Sequence, residues 1–318
     1  MKRYFPPMAF SLRSCVLPLV LLGAGCATAP NPDSDHPSDS SDMSPEPDRL
    51  DIQGHRGARG LLPENTIPGF VLAIREGADV LEMDLCIAGD GSVIVSHEPW
   101  MNHEICRTPQ GEDIAEADER THNLHAMTVA QIQAYDCGTR EHPRFPDQTH
   151  LPVAKPTLAD VVKVTETVPL LDGGALRYNL EIKHHPDLEP TFCPDANAFA
   201  QAVVEEVERL GIADRTCIQS FSPAVMEAMH VLRPDMTVAW LVGEPGPVEA
   251  QLARLSFAPD IYSPDWKLID ANDVHALQSQ GIQVIPWTVN SQQDLYRVME
   301  MGVDGIITDY PDRLYAMR

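Results

Sequence analysis

The chain has 318 residues, of which 43% are hydrophobic and 22% charged, a balance that allows a sizeable buried core and excludes a disordered or fibrous protein. Its formal charge of -24 excludes a broad electrostatic grip on nucleic acid or an anionic lipid surface, because both need clustered Lys and Arg. An anionic ligand has to be held locally, by a metal ion or a few arginines.

The amino-terminal segment reads as export machinery. Lys2, Arg3 and Arg13 precede an apolar run from Cys15 to Gly25 that is too short to span a bilayer, so residues 1–26 are expected to be a signal peptide. The run ends in LLGAGC, which resembles the lipobox of bacterial lipoproteins and implies lipidation of Cys26, although Gly23 stands where the box usually carries Leu. Ala27 and Thr28 lack the Asp that usually retains lipoproteins in the inner membrane. The expected localisation is therefore periplasmic or cell envelope, lipid-anchored to the outer membrane, with that anchor as the one link to a membrane. Residues 27–49 are dominated by Pro, Ser and Asp and read as a flexible polar linker.

From Ile52 onward short apolar strands alternate with amphipathic segments such as AFAQAVVEEVERLG and DANDVHALQSQG. The strands are DIQGH, VLEMDL, RYNLEIK, CIQSF, TVAWLV, IYSP, QVIPWTV and GIITD. Eight such units in one domain over residues 50–318 predict an α/β fold closed as a (β/α)8 TIM barrel, and no Gly-rich dinucleotide turn supports a doubly wound open sheet instead. The regularity breaks between Pro99 and Pro156, an expected insertion after the second strand in which only TVAQIQAY looks helical. Cys106 and Cys137 both fall there, where a staple helps most, and are the expected disulfide. Cys86 and Cys217 lie in apolar strands and read as buried thiols.

In a barrel the reactive groups sit at the carboxyl ends of the strands. The first strand ends in His55, Arg56 and Gly57 and is followed by PENT (Pro63, Glu64, Asn65, Thr66). In the second, Glu82 and Asp84 are two apart and share a face; in the third, Glu181 and Lys183 repeat that device. Acidic side chains pointing into a barrel are costly unless paired or bound to a cation. Glu82, Asp84 and Glu181 therefore suggest a site for a hard divalent ion, Ca2+ or Mg2+, with a buried salt bridge to Arg56 or Lys183 as the plainer alternative. His55 and His97 have the chemistry to serve as base and acid for a displacement at such an ion, whereas the ordinary reading of a lone histidine holds for most of the 12 in the chain.

The series HRG, PENT, LEMDL, a later His, EIK and GVDGIITDYP resembles the motif series of the glycerophosphodiester phosphodiesterase family, from Ile52 to the end of the chain. That resemblance implies His55 and His97 as the catalytic acid and base and Glu82, Asp84 and Glu181 as the metal ligands. It also implies Arg56 on the phosphoryl oxygens, Lys183 beside the phosphate, and Glu64 and Asn65 around the metal and the catalytic His. Ser220, Phe221, Trp287, Asn290 and Asp309 match late family positions. Trp287 reads either as core or as an aromatic wall for a glycerol moiety, and Asp309 either as part of the site or as a helix cap before Pro311. The implied activity is metal-dependent hydrolysis of small glycerophosphodiesters to glycerol 3-phosphate and an alcohol. Its rivals are a phospholipase acting on intact lipids and a non-catalytic envelope lipoprotein.

Overall fold

A computed structural model of the protein describes residues 49–318; the expected signal segment, Cys26 and all of the expected linker but Arg49 lie outside the described residues. Strand β1 (Asp51–Gly54) leads through a tight loop to helix α1 (Ile67–Arg75), and β2 (Val80–Ile87) folds back on β3 (Val93–Val95) as an antiparallel hairpin. A long segment with one short helix, α2 (Val129–Ile132), precedes α3 (Leu158–Thr165). Strand and helix then alternate: β4 (Arg177–Ile182), α4 (Ala196–Leu210), β5 (Thr216–Ser220), α5 (Pro223–Leu232), β6 (Val238–Val242), α6 (Val248–Leu252), β7 (Ile261–Pro264), α7 (Ala271–Gln278), β8 (Gln283–Val284), α8 (Gln292–Met299), β9 (Gly305–Thr308) and α9 (Pro311–Tyr315). Most helices begin where the sequence offers a cap: the side chains of Thr66, Thr157, Asp195, Ser222, Asp270 and Ser291 each accept from a first-turn amide.

With β3 set aside, the strands pair in parallel in the order β8-β7-β6-β5-β4-β2-β1-β9. The two ends of that order meet, the Asp304 amide donating to the Val284 carbonyl at 3.0 Å and the Ile307 amide to the Pro286 carbonyl at 3.0 Å. The sheet is thereby a (β/α)8 barrel, as the alternating pattern predicts.

Period-two alternation decides which residues face which layer. In β2, Leu81, Met83 and Leu85 pack outward with Phe70, Ala73 and Ile74 of α1, and Glu82 and Asp84 point inward. The lining of the barrel is itself divided. Ala239, Ile261, Ile285 and Ile307 form an apolar cluster on one side. Gln53, Glu82, Asn179 and Gln219 form a hydrogen-bonded polar row on the other.

Several local expectations change. QVIPWTV is regular strand only over Gln283–Val284, because Pro286 has no amide to give to a ladder; beyond it Trp287 makes a single parallel bridge to Asp265. Phe221 of CIQSF lies past the end of β5, and Val93–Val95, which are not among the eight expected strands, form the hairpin strand β3. The long segment contains 3-10 turns at Glu116–Thr121 and Leu124–Ala126 besides α2, each too short to give a helical period in the sequence. That segment has its own small core of Met101, Ile105, Leu124 and Ile132, within which Cys106 and Cys137 are joined as a disulfide. Cys86 is buried in the same cluster. Cys217 is only partly buried, because it faces the inside of the barrel at its amino-terminal mouth.

Candidate active site

The strand register assembles the acidic group. Asp84 of β2 pairs with Glu181 of β4, and Glu82 lies two residues before Asp84 on the same face. Ligand oxygens of the three lie within 4.8 Å of one another, and all three residues are buried. Burial, followed by repulsion from Asp84 and Glu181, lifts the Glu82 carboxyl well above the usual range. Burial also lifts Glu181, with Asp84 adding to the effect and the Lys183 ammonium, 2.8 Å away, opposing it. Asp84 is held low despite its burial, because Arg56, His97 and Lys183 surround it, Arg56 Nε standing at 3.1 Å and Lys183 Nζ at 3.8 Å. Arg56 is shared with Glu64, so two cations do not balance the trio. Three buried oxygen donors, two of them reluctant to ionise, fit a hard divalent cation.

The two histidines are held alike. His55 follows β1, and its Nδ1 is 2.7 Å from Asp309 Oδ1, while Asn290 Nδ2 donates to the other Asp309 oxygen at 2.7 Å. His97 follows β3, and its Nδ1 is 2.7 Å from Glu98 Oε1. A carboxylate can only accept, so each Nδ1 carries the proton and each Nε2 is the free nitrogen. Burial lowers the His55 pKa, and Asp309 restores part of the loss. Glu98 is pulled down to about 2 against its burial by the hydrogen bond and charge of His97. Both imidazoles line one cavity of about 330 Å³, together with Arg56, Arg59, Glu82, Arg144, Glu181, Lys183, Gln219, Phe221 and Trp287.

The loop between β1 and α1 holds this arrangement together. Arg56 (φ 52°) and Asn65 (φ 55°) both adopt the left-handed conformation, which is costly for residues with a Cβ. Hydrogen bonds fix them there. The Arg56 amide donates to Glu82 Oε2 at 2.9 Å, the Asn65 amide to the Arg56 carbonyl at 3.0 Å, and Asn65 Nδ2 to Asp84 Oδ2 at 2.8 Å. Gly57 (φ 87°) is required beside them, since a Cβ would lie 2.7 Å from the Gly69 carbonyl carbon. Glu64 bridges Arg56 at 2.9 Å and Arg59 at 2.7 Å, and both cations hold it well below the usual range against its burial.

A family model described as the glycerophosphoryl diester phosphodiesterase family matches residues 55–313, a span that contains every group just described. The chain belongs to that family. A glycerophosphodiester phosphodiesterase from Bacillus subtilis (strain 168) is 28% identical over 280 residues, covering 86% of this chain and 87% of the relative. The crystal structure of a candidate glycerophosphoryl diester phosphodiesterase from Silicibacter pomeroyi DSS-3 superposes with a TM-score of 0.76 at 30% identity, covering 85% of this chain and 95% of that one. A phosphodiesterase from Oleispira antarctica, solved with the product sn-glycerol-3-phosphate, shares the fold with a TM-score of 0.66 at 20% identity, covering 84% and 95%.

Within this phosphodiesterase the residues singled out from the sequence fall into two groups. His55, Arg56, Glu82, His97, Glu181, Lys183 and Trp287 line the cavity, and Asp84 lies directly behind it. Glu64 and Asn65 are not on the cavity wall, since their side chains are spent on the arginines and on Asp84. Trp287 packs edge-on against Phe221 with centroids 5.5 Å apart, and its indole donates to the Ser263 carbonyl at 2.9 Å. Ser220 is buried, its hydroxyl donating to the Ile182 carbonyl. Asp309 is no helix cap, because α9 begins after Tyr310 without a side-chain cap. Sequence reasoning passed over Glu98, Gln219, Arg59 and Arg144. Glu98 stands next to His97 and was open to inspection; Gln219, which donates to Glu82 Oε1 at 2.8 Å, has no local signal because its partner is 137 residues away.

Proposed function

We propose that this glycerophosphodiester phosphodiesterase hydrolyses glycerophosphodiesters to glycerol 3-phosphate and an alcohol in a cation-dependent reaction, with His55 and His97 as its acid-base pair. The observation that carries this reading is the pair of imidazoles, each turned by a carboxylate so that Nε2 is free, lining the same cavity as Glu82 and Glu181. Displacement at a phosphodiester needs one group to take a proton from water or from the glycerol hydroxyl and another to protonate the departing alkoxide. Two histidines with the same free nitrogen can divide that work. Arg56 and Lys183 line the same cavity and would neutralise phosphoryl oxygens, while Trp287 and Phe221, packed edge to face, would wall the glycerol carbons. A Ca2+ or Mg2+ ion held by Glu82, Asp84 and Glu181 would supply Lewis-acid charge to the same oxygens. The signal-like segment and Cys26 support a place in the cell envelope, tethered to the outer membrane, from which a small soluble diester is reached.

Glycerol 3-phosphate release from glycerophosphocholine by residues 50–318 tests the reading, with chelator and then with Ca2+ or Mg2+ restored. Activity should vanish with chelator, return with one ion, and fall roughly 10²- to 10⁴-fold in His55→Ala and in His97→Ala, the usual worth of a general acid or base. Equal turnover by His55→Ala and the unaltered chain would remove the acid-base assignment, and full activity in chelator the cation.

A further inference from the structure

Arg59 and Arg144 line the cavity, yet the acid-base pair and the carboxylate trio use neither. Arg59 is 3% exposed, and its Nη2 is buried without a hydrogen-bond partner among the described residues. Its Nε faces Glu64, which already faces Arg56, and its Nη1 is 3.9 Å from Asp309. The guanidinium is therefore under-used for a buried cation. Arg144 comes from the long segment after β3, is exposed at the cavity rim, and has no carboxylate within ion-pair distance among the described residues, in a chain of net charge -24. Burial lowers the Arg59 pKa, Arg56 adds to the effect, and the charge of Arg144 across the cavity adds a smaller share. Like charges brought together in an acidic protein call for an anion between them.

The reacting phosphate already has Arg56 and Lys183, and the glycerol has the aromatic wall. We propose that Arg59 and Arg144 form a second anion subsite on the β1 side of the cavity, for a carboxylate or phosphate borne by the leaving alcohol. The preferred diesters then carry two negative groups. This inference rests on the phosphodiesterase reading and adds to it the class of alcohol.

Glycerophosphoserine and glycerophosphoethanolamine differ only by one carboxylate and supply the test. Their kcat/KM ratio, serine over ethanolamine, should fall about tenfold in Arg144→Gln, chiefly through KM, as expected for one partly solvated charge-assisted contact. Arg144→Glu should lower the ratio further, and added salt should lower it in the unaltered chain. An unchanged ratio overturns the subsite, as does an equal loss on both substrates, which would put Arg144 on the shared phosphate. Calorimetric binding of the same two compounds to His55→Ala, with and without Arg144→Gln, gives the ratio without appreciable turnover. Absence of turnover on both would count against the phosphodiesterase reading, while the binding ratio still decides the subsite.

Discussion

With Asp309 on its Nδ1, the His55 imidazole has only Nε2 to offer a substrate. Asn290 Nδ2 already donates to the second Asp309 oxygen, so an amide in place of the carboxylate keeps its oxygen toward Asn290 and turns its NH2 toward His55. Nδ1 must then accept, and the proton moves to Nε2. Asp309→Asn is accordingly expected to cut kcat by about 10²-fold or more with the fold retained, the cost of the wrong tautomer. Asp309 also opposes the lowering of the His55 pKa by burial, so in the variant the kinetic limb belonging to His55 should move to lower pH. A pH-rate profile beside circular dichroism checks both, and an unmoved limb would detach Asp309 from His55. Asp309 was legible as a polar residue ending a strand, but its partner lies 254 residues away, and no local pattern tells a histidine clamp from a helix cap. Glu82 and Glu181 make a second case. Their raised pKa values mean that the cation-free protein keeps protons there above the ordinary glutamate value of 4.5. That bound-proton state stabilises the fold below 4.5, and the contribution is lost as pH rises through the raised values. Cation binding should release protons, and its affinity should fall as pH falls; calorimetry in buffers of different ionisation enthalpy detects the release.

At the scale of elements, strand alternation made the inward carboxylates readable, whereas the support beneath them depends on neighbouring strands. Asn179 of β4 donates to Gln53 of β1 at 2.8 Å and to Gln219 of β5 at 3.1 Å, and Gln219 in turn donates to Glu82. This amide row crosses from strand to strand, and a sequence read one strand at a time shows only an isolated Gln or Asn. Leucine at 219 fits the volume but leaves Glu82 Oε1 without its donor. Gln219→Leu should weaken divalent cation binding about 10-fold, toward the low end for residues that orient a ligand, with the circular dichroism spectrum unchanged. Titration of the ion separates this from a direct effect on chemistry, and unaltered affinity would reduce the row to packing. The long segment shows the opposite balance. Its disulfide was foreseen because two cysteines fell in one loop-rich stretch, but its short turns left no periodic trace. Closing a separation of 31 residues implies that Cys106→Ser with Cys137→Ser costs about 3 to 4 kcal/mol of unfolding free energy on a chain-entropy basis, measurable by urea denaturation.

For the whole molecule, eight strand patterns sufficed to foresee a closed barrel, while the seam did not show in the sequence. Pro286 interrupts β8 just where closure occurs, and the joining bonds to Asp304 and Ile307 depend on the curvature of the complete sheet. Attachment to a membrane is a property at this scale as well. A chain of net charge -24 is repelled by an anionic leaflet, and among the described residues no helix is long and apolar enough to cross a bilayer. Under the proposed envelope placement, membrane attachment would fall to acyl chains at Cys26, and two chains suffice where one is marginal. In a bacterial host that processes lipoproteins, the proposal predicts that the unaltered chain sediments with membranes and resists a high-salt wash, since an acyl attachment is apolar. Cys26→Ser should move it to the soluble fraction with kcat unchanged, because residue 26 lies outside the barrel domain. Release of the unaltered chain by salt would mean an electrostatic attachment, contrary to its charge. A Cys26→Ser protein that still sedimented would mean that another part of the chain holds the membrane.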